Sequence, residues 1–196
     1  MALTIFKCVG GEVLLPDRKL VLVSREDGGN LIVNPPREVW ERGELSAEEL
    51  KQWSFLVAAT GGAMLESLPQ LAEGCINYWE AGNWALNIDA EPRGVKKSGR
   101  QHRKVHLHLL GRSRDAKSPS HQWGEAPKFS SFAERHAWAA KHERLTPEEC
   151  AKIVTRMAEL LRMKYGMSDG QIGAFHACVK CSYPHTGAAQ TCSECG

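Results

Sequence analysis

The run Val105-His106-Leu107-His108-Leu109-Leu110 narrows the fold more than any other stretch of this chain. Val105, Leu107 and Leu109 alternate with His106 and His108, the period of a β-strand, so one face is to be buried while the other carries two imidazoles. Histidines two apart on a strand project from the same face, about 6–7 Å apart along the chain. Such a pair suits an attacking imidazole helped by its neighbour. It equally suits two solvent-facing or metal-ligating side chains.

Other segments supply the partners this strand requires. Lys19 to Glu26 reads as a strand, Asp27-Gly28-Gly29-Asn30 as a turn and Leu31-Ile32-Val33 as a returning strand closed by Pro35-Pro36, together a hairpin. Cys75 to Trp79 and Trp84 to Ile88 read as short strands. Ser46-Ala-Glu-Glu49 is a capping box that opens a helix with the stripe Leu50, Trp53, Val57, Met64, Leu65 and Leu68. Gly61-Gly62 in its middle either costs stability or lets a strand pack closely. Thr146-Pro147-Glu148-Glu149 is a second capping box, with proline at the first helical position, opening a helix striped by Ile153, Val154, Met157, Leu160 and Leu161. The order strands, helix, strands, helix predicts an α+β fold.

Composition excludes several classes. A chain of 196 residues with 42% hydrophobic and 24% charged residues supports a core and is not expected to be disordered. Its 25 basic and 23 acidic side chains argue against wholesale coating of nucleic acid, though a local basic patch is possible. No apolar run approaches the roughly 18 residues needed to span a bilayer, and the N-terminus lacks a secretory signal, so a cytoplasmic protein is expected, with no membrane partner.

Four of the seven cysteines form two CxxC pairs, Cys178 with Cys181 and Cys192 with Cys195. Without an export signal, and in a segment too poor in apolar residues to build a core, the spacing predicts a compact ribbon around one structural zinc ion. A redox pair or a disordered tail is the competing reading.

The histidine strand, with Gly111-Arg112 after it, resembles the signature of the histidine-triad (HIT) family, His-φ-His-φ-His-φ-φ with φ apolar, in six of seven positions. Upstream, Gly29 to Arg37 is similar to the family's hairpin strand and Leu45 to Leu50 to its helix start, so the resemblance covers roughly residues 19–112. It implies an antiparallel sheet with flanking helices and a homodimer; taken with the cysteine pairs, it divides the chain into a HIT-like core (1–115), a lid loop and helical extension (116–170) and the zinc-ribbon-like module (171–196). It also implies that His106 attacks the α-phosphorus of a nucleotide while His108 donates a hydrogen bond to a phosphate oxygen, the covalent intermediate then being resolved by water or another acceptor. The Ser98-Gly99-Arg100 turn takes the place of the family's small-Gly-Gln turn and would bind phosphate through backbone N–H groups, with Asn87 as a further contact. Two positions depart from the pattern: Lys104 stands where the first triad histidine is usual, and Arg100 where glutamine is. His102 would share the histidine face if the strand ran back that far.

The expected activity is that of a hydrolase or nucleotidyl transferase acting on a phosphoanhydride, phosphoester or phosphoramidate, such as a dinucleoside polyphosphate. Processing of adenylated nucleic-acid ends and non-catalytic nucleotide sensing are the alternatives. The basic stretch from Arg93 to Lys104 suits a polyphosphate or a nucleic acid, or is simply a solvated loop. Arg112 and Trp123 are expected to cap the site, Trp123 by stacking on a base or by anchoring the lid to the core.

Overall fold

The computed structural model describes residues 3–18, 20–83, 86–89, 91–131 and 133–186. The histidine strand, His106–Arg112, lies inside a five-stranded antiparallel sheet. In chain order the strands are β1 (Leu3–Cys8), β2 (Gly11–Leu15), β3 (Asn30–Asn34), β4 (Cys75–Ala81) and β5 (His106–Arg112). They are arranged β1-β2-β3-β5-β4, so β5 is paired on both sides.

Alternation sorts the two faces as the sequence requires. Val13, Val33, Leu107 and Leu109 are buried on one face. Against that face packs helix α1 (Ala47–Ser67), through Trp53, Leu56, Ala63 and Met64. Both capping boxes form as read: Ser46 Oγ accepts from Glu49 N at 3.2 Å, and Thr146 Oγ1 accepts from Glu149 N at 3.2 Å. The glycine pair in α1 permits a close approach, because a Cβ on Gly61 would lie 2.2 Å from the Tyr78 hydroxyl of β4. Short helical turns α2 (Leu86–Asp89), α3 (Gly99–His102) and α4 (Arg135–Ala139) precede α5 (Pro147–Met163), whose stripe of Ile153, Val154, Met157 and Leu161 packs in the same core as α1.

The segment expected to be the first hairpin strand is not one. Lys19 lies outside the described residues; residues 20–24 form no strand, and Arg25–Asp27 is a 3-10 turn. The reason is that β3 already has β2 and β5 on its two edges, which leaves no ladder to join. Instead the segment crosses the sheet as a strap, and the Asn30 side chain accepts its amides from Leu22 and Val23 at 3.0 and 3.3 Å. The strand that pairs with β3 on that edge is β2, which is itself joined to β1 through Val9 and Gly10. Leu86–Asp89 is likewise helical rather than extended, and Trp84 lies outside the described residues.

After α5 the chain returns to the free edge of β1, where Val9 N donates to Gln171 O at 2.9 Å and Gly173 N to Lys7 O at 3.0 Å. A two-stranded hairpin follows, β6 (Phe175–Ala177) and β7 (Pro184–Thr186). Tyr183 beside it is buried and donates to Leu145 O at 3.0 Å. None of the described helices is long and apolar enough to cross a membrane.

One contact tests the packing of β5. A Cβ on Gly111 would meet the Gly28 backbone at 2.6–2.7 Å, and backbone has no rotamer by which to yield. Gly111→Ala is expected to destabilise the protein by about 1–3 kcal/mol, read as a lower urea midpoint at unchanged slope.

Candidate functional site

The sheet face opposite α1 carries a cleft of about 490 Å³. His106 and His108 line it from β5, Trp79 from β4, Ile32 and Asn34 from β3, and Glu12 from β2. Lys104 and Glu38 also line it, and the strap contributes Leu20 and Leu22.

Hydrogen bonding fixes the state of the two imidazoles. His106 Nδ1 lies 2.8 Å from the Lys104 carbonyl, which can only accept, so Nδ1 carries the proton. His106 Nε2 is then a bare lone pair. It sits 3.1 Å from His108 Nε2, which must be the donor. By elimination His108 Nδ1 is unprotonated, and it is buried without a partner among the described residues. A neutral imidazole with an unprotonated, anchored Nε2 beside a cleft is the form a nitrogen nucleophile requires.

Electrostatics keep both rings neutral. Burial lowers the pKa of His106; the Lys104 carbonyl opposes this and Arg103 adds to it. Burial also drives His108 down to about 3, with His106 adding to the shift. The burial of His108 has a visible cause: its ring stacks on Trp79 at 5.3 Å, and Trp79 stacks in turn on Phe129 at 5.1 Å.

Of the residues expected at the site, His106, His108 and Lys104 come together in the cleft. Lys104 is not free, since its Nζ lies 2.7 Å from Glu38. His102 does not extend the histidine face, because it belongs to α3 and its Nδ1 contacts the Ser98 carbonyl at 3.2 Å. Ser98, Gly99 and Arg100 do not line the cleft; Arg100 pairs with Glu44 and lies over the Trp40 ring. Asn87 does not line it either, and its Oδ1 closes a loop by accepting from Lys97 N at 3.1 Å.

Arg112 is on the histidine face but six residues along from His106, roughly 20 Å at 3.4 Å per residue. It is only 5% exposed, and its guanidinium holds the Gln122 and Glu125 carbonyls at 2.6 and 2.7 Å. It therefore anchors a loop rather than capping a ligand. Trp123 on that loop is 44% exposed and away from the cleft. Phe129, further along the same loop, does reach the cleft.

The basic stretch is largely neutralised. Glu38, Glu41 and Glu44 pair with Lys104, Arg103 and Arg100 respectively. Sequence reasoning missed Lys7, Glu12, Asn34, Trp79 and Phe129, all of which line the cleft. A polar Asn34 closing an apolar strand was the one local signal for any of them.

At the C-terminus, Cys178 and Cys181 flank a tight turn in which Ser182 N donates to Cys178 O at 2.8 Å and Ser182 adopts φ 62°. Cys192 and Cys195 lie outside the described residues. Among the described residues no three His, Cys, Asp or Glu side chains converge as a metal site.

The His108 shift makes stability depend on pH in a defined sense. In the unfolded chain the ring titrates near 6.5, and in the folded chain near 3. Below pH 6.5 the unfolded state takes up a proton that the folded state refuses, so stability is lost progressively as pH falls towards 3. His108→Phe keeps an aromatic ring against Trp79 and removes the titration. Between pH 7 and pH 5 the wild type is expected to lose about 2 kcal/mol more stability than this variant, measured by urea unfolding at each pH. Equal losses would show that His108 is not the linked group.

No family model matches this chain, and no curated protein or solved structure matches it either.

Proposed function

We propose that this protein is a nucleotide hydrolase or nucleotidyl transferase working through a covalent nucleotidyl-His106 intermediate, as the HIT resemblance implies. What supports this reading is the tautomer of His106: Nδ1–H held by the Lys104 carbonyl, and Nε2 unprotonated beside the cleft, accepting from His108 Nε2–H. The Nε2 lone pair attacks the α-phosphorus in line, and the bond from phosphorus to the leaving group breaks, the leaving group keeping its electron pair and taking up a proton from solvent. Water then attacks the same phosphorus, the P–N bond breaks, its electron pair returns to Nε2, and the proton of water passes to solvent. When Nε2 is engaged with phosphorus, the His108 N–H loses its acceptor and turns to a non-bridging oxygen, where charge develops.

Lys104 supplies the cation at the mouth of the cleft, in place of a third imidazole. A nucleotide phosphate competes with Glu38 for it. That pairing favours one second reading, a nucleotide sensor without turnover, in which the ammonium stays bound to Glu38 and protonates nothing. The two readings separate on one experiment. Alkaline denaturing quench of the protein with a nucleoside phosphoramidate radiolabelled at the α-phosphorus, which spares the acid-labile P–N bond, is expected to trap label on the wild type. His106→Ala should trap none, while His106→Asn still binds the nucleotide. Turnover with no label at His106, or undiminished turnover in His106→Ala, overturns the mechanism.

We further propose that Cys178, Cys181, Cys192 and Cys195 hold one structural zinc ion. Supporting this, the backbone makes a tight turn over Cys178–Cys181, closed by Ser182 N donating to Cys178 O, and the left-handed Ser182 lets the chain reverse immediately after it. Elemental analysis of the purified chain should find about one zinc per molecule, lost on Cys178→Ser. A metal-free, folded wild type rules the ribbon out.

A further inference from the structure

The strand registers place a polar row straight across the cleft. Ala81 pairs with His106, Glu12 with Asn34 and Lys7 with Glu12. Val33 opposite Leu107 puts Asn34 opposite His106 at the next position. The row is therefore His106, Asn34, Glu12, Lys7, one residue per strand, at about 4.8 Å per step. A second row beside it, His108, Ile32 and Leu14, is apolar beyond the histidine, and Leu20 and Leu22 of the strap line the same cleft.

Hydrogen bonding gives this row a polarity. The Asn34 amide donates to Glu12 Oε1 at 3.0 Å, and the Thr4 hydroxyl to Oε2 at 3.4 Å. Each carboxylate oxygen keeps lone-pair capacity for a further donor. Glu12 is thus a fixed acceptor. Lys7, one strand further on, is exposed and has no ion-pair partner among the described residues, so it is a donor facing the same space.

We propose that Glu12 and Lys7 read the Watson–Crick edge of guanine, in the nucleotide whose phosphate His106 attacks. This inference rests on the nucleotide reading above and adds the base to it. Two strand spacings separate Glu12 from His106, roughly 10 Å, comparable to the reach of an extended purine nucleotide from its phosphorus to its Watson–Crick edge. Along that edge guanine offers N2–H and N1–H donors and then the O6 acceptor, which match carboxylate and then ammonium. Adenine reverses the order: the N1 lone pair would face Glu12, and the N6 amino group would face Lys7. Hypoxanthine keeps N1–H and O6 but lacks the N2 donor. The apolar side chains beside the row supply contact for the faces of the base.

Equilibrium dialysis of the full chain against GMP, IMP and AMP tests this without relying on any variant. The expected order is GMP tightest, then IMP, then AMP, with GMP ahead of AMP by about tenfold or more. Glu12→Gln and Lys7→Met should each narrow the gap between GMP and AMP. Lys7 is exposed, so its variant is informative even if Glu12→Gln weakens the fold. Equal affinities for GMP and AMP, or a preference for AMP, overturn the guanine inference and leave the nucleotide reading standing. Failure of all three to bind overturns the nucleotide reading, and the guanine inference with it.

Discussion

The register between β3 and β5 is the constraint on which the rest depends. Leu31 opposite Leu109 and Val33 opposite Leu107 turn four apolar side chains towards the helical layer. The same pairing leaves His106 and His108 on the other face, beside Asn34 and Ile32. A slip of one residue would bury both imidazoles under α1 and expose the leucines, so the burial of one face fixes the composition of the other. Core and cleft are two consequences of a single alternation. Gly111, whose backbone abuts Gly28, locks the far end of the same strand.

Within that frame the chemistry follows from one carbonyl. The Lys104 carbonyl sits just before the strand and accepts a hydrogen bond from His106 Nδ1–H, which leaves Nε2 the unprotonated nitrogen and orients the ring. His108 completes the chain by donating to Nε2, which leaves its own Nδ1 buried and without a partner among the described residues. The Lys104 side chain is drawn the other way, to Glu38. Residue 104 thus contributes to the site through its backbone whatever side chain it carries. The absence of a histidine side chain there leaves the orientation of His106 intact. The neighbouring charges tell the same story: Glu41 and Glu44 pair with Arg103 and Arg100, so what reads in sequence as a basic patch is a largely compensated belt at the edge of the site.

How much of this was legible in the sequence depended on how local the cause was. The two capping boxes and the histidine strand were readable because each signal is complete within a few residues. The strand expected at 19–26 was not one, because whether an apolar run pairs depends on a free edge, and β3 has none to offer. β1 and β2 were overlooked although Leu3, Ile5, Val13 and Leu15 are all fully or nearly buried. The cleft was the least legible part. Glu12 and Lys7 look like ordinary surface charges until the register sets them in line with His106, and register is a property of four strands together. Arg112 shows the opposite error: its parity on the strand was right, but its distance along the strand removed it from the cleft.

That misplaced arginine nevertheless bears on the site. By holding the Gln122 and Glu125 carbonyls it pins one end of the loop that delivers Phe129, while Asp27 pins the other by accepting from Lys117 N and Ser118 N at 2.7 and 3.1 Å. His121, 1% exposed and edge-on to both Phe129 and Trp138, fills the space beneath. Phe129 covers Trp79, Trp79 covers His108, and it is this cover that depresses the pKa of His108 and keeps it a neutral donor to His106. The proton inventory of the histidine pair is therefore set partly by a loop whose anchors lie at the far end of β5. The strand supplies the paired imidazoles, and the loop excludes the water that would otherwise let His108 take a second proton.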